Sequence, residues 1–119
     1  MTELFVAVVL SFAVIDGDTI DIKAHIWPNH MTDERVRLLR IDTPEKTGVP
    51  ECEKILAAAA TDFTRKQLTG ARIIVVKAQA KRDSFGRSLA EVYVDGVNLN
   101  DRLLQSGLAR PFGVKGAWC

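Results

Sequence analysis

The sequence has almost no net charge. It contains 16 Lys and Arg residues against 15 Asp and Glu residues, which leaves a formal charge of +1 at pH 7. This balance excludes a basic field over the whole molecule that would draw in a polyanion. If the partner is a nucleic acid, local arginines must attract it, and steering from long range should be weak.

Long apolar runs are also scarce. Residues 4–15 are apolar apart from Ser11, but this run is too short to span a bilayer as a helix. It has the character of a signal-peptide core, yet Glu3 is acidic and no Lys or Arg precedes the run. We therefore interpret the run as a first strand, and we expect no association with a membrane.

The chain has only two cysteines, Cys52 and Cys119. They do not indicate a cellular compartment, and the sequence leaves open whether they form a disulfide or remain free thiols. If they pair, closing such a long loop would stabilise the fold by about 4 kcal/mol in the chain-entropy model.

Repeats, low-complexity tracts and linkers are absent from the sequence. Hydrophobic residues make up 47% of the chain and charged residues 26%, which is typical of a soluble globular protein. A chain of this length buries about two-thirds of its unfolded surface, enough for one core. We therefore predict a single domain over residues 1–119, and we expect a monomer.

Runs of apolar or alternating residues between turn residues predict five strands. The predicted strands cover residues 4–14, 19–26, 34–41, 73–76 and 88–94. The segment Asp16-Gly17-Asp18 is a strong hairpin signal between the first two strands. Residues 27–30 and 46–49 are predicted to form loops, and the tail from residue 111 is predicted to be irregular.

Two helices complete the predicted fold. Pro50 suits the first turn of a helix, and apolar residues follow at helical spacing up to Gly70. Asn98, with Asp101 in the capping-box position, predicts a second helix that ends at Gly107. This order favours an α+β, mainly β fold: a five-stranded OB-type Greek-key barrel with a helix between strands 3 and 4 and a C-terminal helix. A two-layer α+β sandwich is the main alternative.

Residues that could carry chemistry fall in three clusters at strand ends. They are Asp16-Gly17-Asp18-Thr19, Arg37 with Asp42-Thr43-Pro44-Glu45, and Asp83-Ser84-Phe85-Gly86-Arg87. Each cluster alone has a structural explanation: a turn, a strand exit and a solvated hairpin. A single arginine within a strand most often pairs with a neighbouring carboxylate. Together these explanations do not account for the occurrence of carboxylates and arginines at three separate turns.

If the clusters converge, one site holds carboxylates and two arginines. Carboxylate ligands favour a hard cation, calcium or magnesium, over zinc. The planar guanidinium fork of arginine suits the oxygens of a phosphate. A metal, a carboxylate base and an arginine pair together describe phosphoryl-transfer chemistry.

The sequence resembles the staphylococcal nuclease family at these residues. The similar segments are residues 14–19, 36–45, 82–90 and 97–109, which together extend over nearly the whole chain in the right order. The resemblance implies an OB barrel that uses calcium to cleave the phosphodiester bonds of DNA and RNA. The products in this family end in 3′-phosphates.

The resemblance also implies a role for each matching residue. Asp18 and Asp42 would bind calcium through their side chains, and Thr43 through its backbone carbonyl. Glu45 would act on the attacking water as general base. The scissile phosphate would be bound by two arginines, Arg37 and Arg87. Asp83 would brace the turn that carries Arg87.

The chain departs from the type member of the family at several aromatic positions. Phe85 stands in place of a tyrosine, and Arg110-Pro111-Phe112 stands where tyrosines follow the last helix. Phe112 or Trp118 could stack on a base, and a role in the core or as a lid is equally compatible with the sequence. Together with the low net charge, these departures bear on substrate affinity.

Three functions are compatible with these features. The main hypothesis is a calcium-dependent nuclease that acts on single-stranded or frayed DNA or RNA. A non-catalytic OB module that binds nucleic acid or a protein is the first alternative, and a phosphodiesterase acting on a small phosphate ester is the second. Of the remaining candidates, Tyr93 is predicted to lie in the core, and His25 and His30 on the surface.

Overall fold

The structure is a computed structural model that describes residues 4–119. The elements in chain order are β1 (Leu4–Asp16), β2 (Thr19–Trp27), β3 (His30–Leu38), β4 (Ile41–Asp42), α1 (Glu51–Thr69), β5 (Ile74–Gln79), β6 (Ser88–Val94), β7 (Val97–Asn98), α2 (Leu99–Ser106) and β8 (Arg110–Pro111). Neither helix is both long enough and apolar enough to cross a membrane.

Five long strands form a closed barrel. The antiparallel order β3-β2-β1-β5-β6 is closed by a parallel pairing of β3 with β6, from Val36 opposite Ser88 to Leu38 opposite Ala90. The predicted five-stranded OB-type barrel is therefore confirmed, and the alternative sandwich is wrong. As predicted, α1 lies between the third and fourth barrel strands and α2 near the C-terminus.

The barrel interior is built from the inward-facing residues of alternating strands. Ile20, Leu38 and Val92 are examples of fully buried side chains. Both histidines are exposed, as predicted. Tyr93 does not lie in the predicted core: it is half-buried on the outer face of β6, where the Lys77 Nζ lies 4.7 Å from its ring centroid.

The strand that leads into the candidate site differs from its prediction. It runs from His30 to Leu38 instead of over residues 34–41, because Arg40 adopts a positive φ of 73° that interrupts the ladder. The chain then resumes as the short strand β4, which pairs with β8 in the tail predicted to be irregular. Arg40 is held there by ion pairs with Glu91 at 2.5 Å and Asp101 at 2.8 Å.

Three other boundaries also differ. The predicted loop at residues 27–30 is a tighter turn, since Trp27 pairs with His30 across it. The first strand extends two residues further, to Asp16, and the strand predicted at residues 73–76 runs over Ile74–Gln79.

The cap of α2 is confirmed, because the Asn98 side chain accepts a hydrogen bond from the Asp101 amide.

Helix α1 packs tightly against the turn between β1 and β2. The buried face of α1 there is small, with Ala57 and Ala60 almost inaccessible to solvent. The Thr64 hydroxyl donates a 2.8 Å hydrogen bond to the Gly17 carbonyl. A Cβ atom on Gly17 would lie 2.8 Å from the Ala60 Cβ and 2.9 Å from the Thr43 Cγ2. The position of this turn therefore depends on a glycine.

We expect Gly17→Ala to destabilise the protein by about 1–3 kcal/mol, since the added methyl group overpacks a rigid contact. Gly70→Ala is the matched control. The nearest atom to its added Cβ would be the Lys66 carbonyl oxygen at 3.4 Å, so a change below about 0.5 kcal/mol is expected. Urea unfolding measures both variants, and equal midpoints would show that the Gly17 contact does not constrain the turn.

Candidate active site

The three clusters predicted from the sequence meet at one cavity of about 490 Å³. All five side chains expected to converge line it: Asp18, Arg37, Asp42, Glu45 and Arg87. The barrel explains the convergence, because the β1–β2 turn, the end of β3 and the turn before β6 lie at the same end of the closed sheet. The structure thus brings together residues that are separated by up to 69 positions in the chain.

Asp18 is buried at the start of β2. Its Oδ2 accepts a 3.0 Å hydrogen bond from the Thr43 amide, and its Oδ1 accepts one of 3.0 Å from the Thr19 hydroxyl. Burial raises the pKa of the Asp18 carboxyl, but the charge of Arg37 and these hydrogen bonds outweigh it and hold the pKa below its usual value. Asp18 is therefore an anion at neutral pH. Thr43 does not line the cavity itself, but its backbone is fixed against this carboxylate.

Arg37 lies between two of the carboxylates. Its Nη2 is 2.5 Å from the Asp42 Oδ1 and 3.3 Å from the Asp18 Oδ2. Its Nη1 donates to the backbone carbonyls of Leu38 and Ile41, each at 2.9 Å. The guanidinium is consequently buried, rigid and neutralised by the two acids that the sequence predicts to bind a metal.

Asp16 belongs to one of the three predicted clusters, but the sequence assigns it no role in the site. Burial, together with the neighbouring Asp18 carboxyl, raises the pKa of Asp16 to about 6. Its Oδ1 is buried and has no hydrogen-bond partner in residues 4–119. The available signal was the Asp-Gly-Asp spacing, which places two carboxylates on either side of a one-residue turn.

The acidic oxygens of this cavity suit a hard cation. Asp16, Asp18 and Asp42 all line it, and every side-chain donor among them is an oxygen. The Asp16 Oδ1, which has no hydrogen-bond partner in residues 4–119, is a further oxygen that could bind a metal ion. Within residues 4–119, no group of three or more His, Cys, Asp or Glu is arranged to hold a metal by itself. Backbone, water and substrate oxygens would therefore have to complete the coordination.

Arg87 differs from Arg37 because the terminal nitrogens of its guanidinium have no hydrogen-bond partner among residues 4–119. Its Nε donates to the Asp83 Oδ2 at 2.6 Å, and its amide donates to the Asp83 Oδ1 at 2.8 Å. Asp83 therefore holds Arg87 in place, in agreement with the expectation that it braces this turn. The two terminal nitrogens of Arg87 remain available to an anion. The Phe85 ring, 82% exposed, lies 5.2 Å from the Arg87 Cζ.

We expect Asp83→Asn to lower the rate of phosphodiester cleavage, the reaction that the sequence predicts, by about 10-fold to 100-fold, because a single hydrogen bond to an amide orients the Arg87 guanidinium less well. The check is a double-mutant cycle. Asp83→Asn should cost little more in a protein that already carries Arg87→Ala. If the two losses add fully, Asp83 does not act through Arg87.

Glu45 is exposed on the loop between β4 and α1. Its amide donates a 2.9 Å hydrogen bond to the Glu53 Oε2 in the first turn of α1. The next residue, Lys46, donates from its Nζ to the Ile15 carbonyl at 2.8 Å. The loop at residues 46–49 is thus anchored to the barrel and to the helix, with the Glu45 carboxylate at the cavity.

The C-terminal tail forms another part of the cavity wall. Cys52 and Cys119 form a disulfide, which resolves the alternative that the sequence left open. Phe112, 71% exposed, lines the cavity, and its amide donates to the Arg40 carbonyl at 2.9 Å. Trp118 does not line this cavity but lies under Arg110, whose Cζ is 4.1 Å from the ring centroid.

Comparison with known proteins agrees with this geometry. The model of the family described as staphylococcal nuclease homologue matches residues 35–117. The chain is 39% identical to a thermonuclease of Staphylococcus intermedius over 97 residues, which are 82% of this chain and 55% of the relative. It is 32% identical to a thermonuclease of Staphylococcus hyicus, over 82% of this chain and 54% of the relative.

A further relative is endonuclease YncB of Bacillus subtilis, at 34% identity over 81% of this chain and 44% of the relative. The chain spans about half the length of the curated relatives it matches. The family match extends over most of the chain and includes four of the five converging side chains, Asp18 lying before it. This chain belongs to the staphylococcal nuclease homologue family.

Proposed function

We propose that this protein is a calcium-dependent nuclease that hydrolyses phosphodiester bonds of DNA or RNA. The observation that carries the proposal is the convergence of Asp18, Asp42, Glu45 and two arginines on one cavity. Acidic oxygens for a divalent cation, a carboxylate to accept a proton and guanidinium groups for a phosphate are what hydrolysis of such an ester needs. The relatives named thermonuclease and endonuclease support the same reaction class.

In this proposal, the side chains of Asp18 and Asp42 and the backbone carbonyl of Thr43 hold the calcium ion. Asp16 adds its unpartnered oxygen close to this set. When bound, the cation supplies a Lewis acid that polarises the phosphate and makes water more acidic. Two hydrogen bonds keep the Asp18 carboxylate aligned, since the Thr43 amide donates to its Oδ2 and the Thr19 hydroxyl to its Oδ1.

The two arginines act on the scissile phosphate in different ways. Arg87 has free terminal nitrogens at the cavity, so it can grip two phosphate oxygens with its planar fork. Arg37 is committed to Asp42 and Asp18 while these acids have no other partner. Nη2 of Arg37 would turn to a phosphate oxygen when Asp42 and Asp18 take part in holding the cation. Both groups then stabilise the charge that develops during attack.

Glu45 serves as the general base. Its exposed carboxylate takes a proton from the attacking water as the new oxygen–phosphorus bond forms. The bond between phosphorus and the 5′-oxygen breaks, and the leaving oxygen takes up a proton from solvent water. The products are a strand that ends in a 3′-phosphate and a strand that begins with a 5′-hydroxyl. We further propose that the substrate is single-stranded or frayed, because the scissile phosphodiester bond has to enter this cavity and is more accessible outside a duplex.

Incubation of the pure protein with denatured DNA, with calcium and then with a chelator, tests this function. Cleavage that requires calcium is expected, with 5′-hydroxyl ends that polynucleotide kinase labels without prior phosphatase treatment. Binding of DNA without cleavage would favour the non-catalytic OB module. Cleavage of a small phosphate ester alone would favour the second alternative. Ends that require phosphatase before labelling would contradict the proposed leaving group.

A further inference from the structure

The barrel end away from the candidate active site is formed by the start of β1 and by the turn between β2 and β3. Strand pairing brings these segments together, because Val8 lies opposite His25, which in turn lies opposite Met31. Trp27 is eight residues along β2 from Thr19, which lines the active-site cavity. At a rise of about 3.3 Å per residue, this barrel end lies about 26 Å from the cavity.

This barrel end exposes a cluster of large apolar side chains. Trp27 is 70% exposed, and Val6 is 61% exposed. Of the fourteen large hydrophobic side chains that are exposed in residues 4–119, seven lie here, and we call them the apolar tip: Leu4, Phe5, Val6, Val8, Ile26, Trp27 and Met31. Monomeric proteins rarely leave so many adjacent apolar side chains in water, and such a patch marks a surface that contacts a partner or a membrane.

The acidic side chains next to the apolar tip are neutralised by ion pairs. Asp33, close to Met31 on β3, pairs with Lys23 at 3.4 Å. Glu34 pairs with Arg82 at 2.6 Å. These two carboxylates therefore add no net negative charge to this end of the barrel.

Two lysines next to the apolar tip keep their charge free. Lys77 lies opposite Val6 across the sheet, and Lys81 follows two residues after the end of β5. Glu91 lies opposite Lys77 on β6 but pairs with Arg40 instead. Neither lysine forms an ion pair with a carboxylate of residues 4–119. The apolar tip is thus bordered by unpaired positive charge.

This combination of apolar and basic groups favours an anionic lipid surface over a second copy of the chain. A symmetric pair joined through the apolar tip would bring the free lysines of both copies to one interface, and like charges placed together disfavour such a complex. Anionic lipid headgroups attract the same lysines. An exposed tryptophan among apolar neighbours also suits the boundary between lipid and water.

We propose that the apolar tip docks on an anionic membrane surface. Trp27 and its apolar neighbours enter the headgroup region, and Lys77 and Lys81 lie near the lipid phosphates. The active-site cavity then opens on the side away from the membrane. Our expectation from the sequence, that the chain has no association with a membrane, concerned a helix that crosses the bilayer, whereas this surface only lies on it. This inference does not depend on the proposed function.

Tryptophan fluorescence with lipid vesicles tests the docking directly. The chain contains two tryptophans, so Trp118→Phe leaves Trp27 as the only reporter. Vesicles of phosphatidylcholine with phosphatidylglycerol should shift its emission to shorter wavelength, and lipids brominated on their acyl chains should quench it. Vesicles of phosphatidylcholine alone should have a much smaller effect. The reverse variant, Trp27→Phe, retains Trp118 and should show neither the shift nor the quenching.

Vesicle sedimentation measures the partition coefficient of variants that keep both tryptophans. Ile26→Ser should lower it at least about fivefold, because an apolar side chain is lost from the contact. The matched control is Ile55→Ser, since Ile55 is 64% exposed on α1 and Ile26 is 57% exposed in the apolar tip. Lys81→Ala should lower partitioning to anionic vesicles about fivefold. Lys66→Ala, at an exposed lysine of α1, is the control and should change it little.

Equal partitioning of Ile26→Ser and Ile55→Ser, or equal binding to neutral and anionic vesicles, would overturn the proposal. Equal unfolding midpoints of each variant and its control ensure that the comparison reports docking and not stability. If the protein ignores vesicles but forms a dimer in sedimentation equilibrium that Ile26→Ser abolishes, the apolar tip binds a second copy instead. None of these measurements involves cleavage of DNA, so their failure would leave the proposed function intact.

Discussion

Replacing Glu45 with glutamine is expected to slow cleavage of denatured DNA by about 10²-fold to 10⁴-fold, because an amide cannot accept the proton of the attacking water. The fold should not change, since the Glu45 side chain is exposed and its hydrogen bond to Glu53 comes from the backbone. Turnover at saturating DNA and calcium is the measurement. The unfolding midpoint of the variant should equal that of the wild type.

The matched control for this substitution is Glu51→Gln. Glu51 lies nearby in the first turn of α1, and its side chain is 80% exposed and does not line the active-site cavity. Glu51→Gln removes one negative charge from the same region as Glu45→Gln. A difference in rate between the two variants therefore shows the effect of having the carboxylate at the cavity. A loss below tenfold for Glu45→Gln, or an equal loss for Glu51→Gln, would take Glu45 out of the role of base.

The second large effect is expected at Arg87. Arg87→Lys should lower kcat/KM nearly as much as Arg87→Ala, by about 10²-fold to 10³-fold. Lysine keeps the positive charge, but it cannot donate to Asp83 through Nε and grip a phosphate with two terminal nitrogens at the same time. The comparison of the two variants therefore separates charge from geometry.

Arg35→Lys is the control for this pair. Arg35 also makes a two-point contact, with Asp21 at 2.7 and 2.9 Å, but it lies on the outer surface and outside the cavity. Little change in kcat/KM is expected from it. If Arg87→Lys retains most of the wild-type activity, the bidentate grip is wrong and charge alone suffices.

The sequence predicts the barrel well because its signals are local. Alternating residues mark the strands, and the capping residues Asn98 and Gly107 mark α2. The convergence of the three turns was a hypothesis based on their similar residues, and the closed barrel explains it, since strands in a closed barrel carry their ends to a common edge. What the sequence could not supply was the interruption at Arg40. Its positive φ is stabilised by Glu91 and Asp101, which are more than fifty residues away in the chain.

The detail of the site was harder to predict for a similar reason. Asp16 Oδ1 is buried without a partner beside the turn at Gly17, and α1 packs on that turn through a tertiary contact that has no local signature in the sequence. The ion pairs of Arg37 with Asp18 and Asp42 depend on the end of β3 meeting the start of β2. Likewise, the pairing of Cys52 with Cys119 depends on where the tail returns after α2.

The convergence of acids and arginines on one substrate phosphate is best tested by a crystal structure with calcium and a non-hydrolysable nucleotide analogue. We expect a calcium ion about 2.3–2.6 Å from oxygens of Asp18 and Asp42, the usual range for this ion. We also expect a phosphate of the analogue in contact with both Arg37 and Arg87, with Arg37 partly released from the two acids. A phosphate that binds elsewhere, or a calcium ion that avoids both carboxylates, would show that these residues do not form the catalytic site.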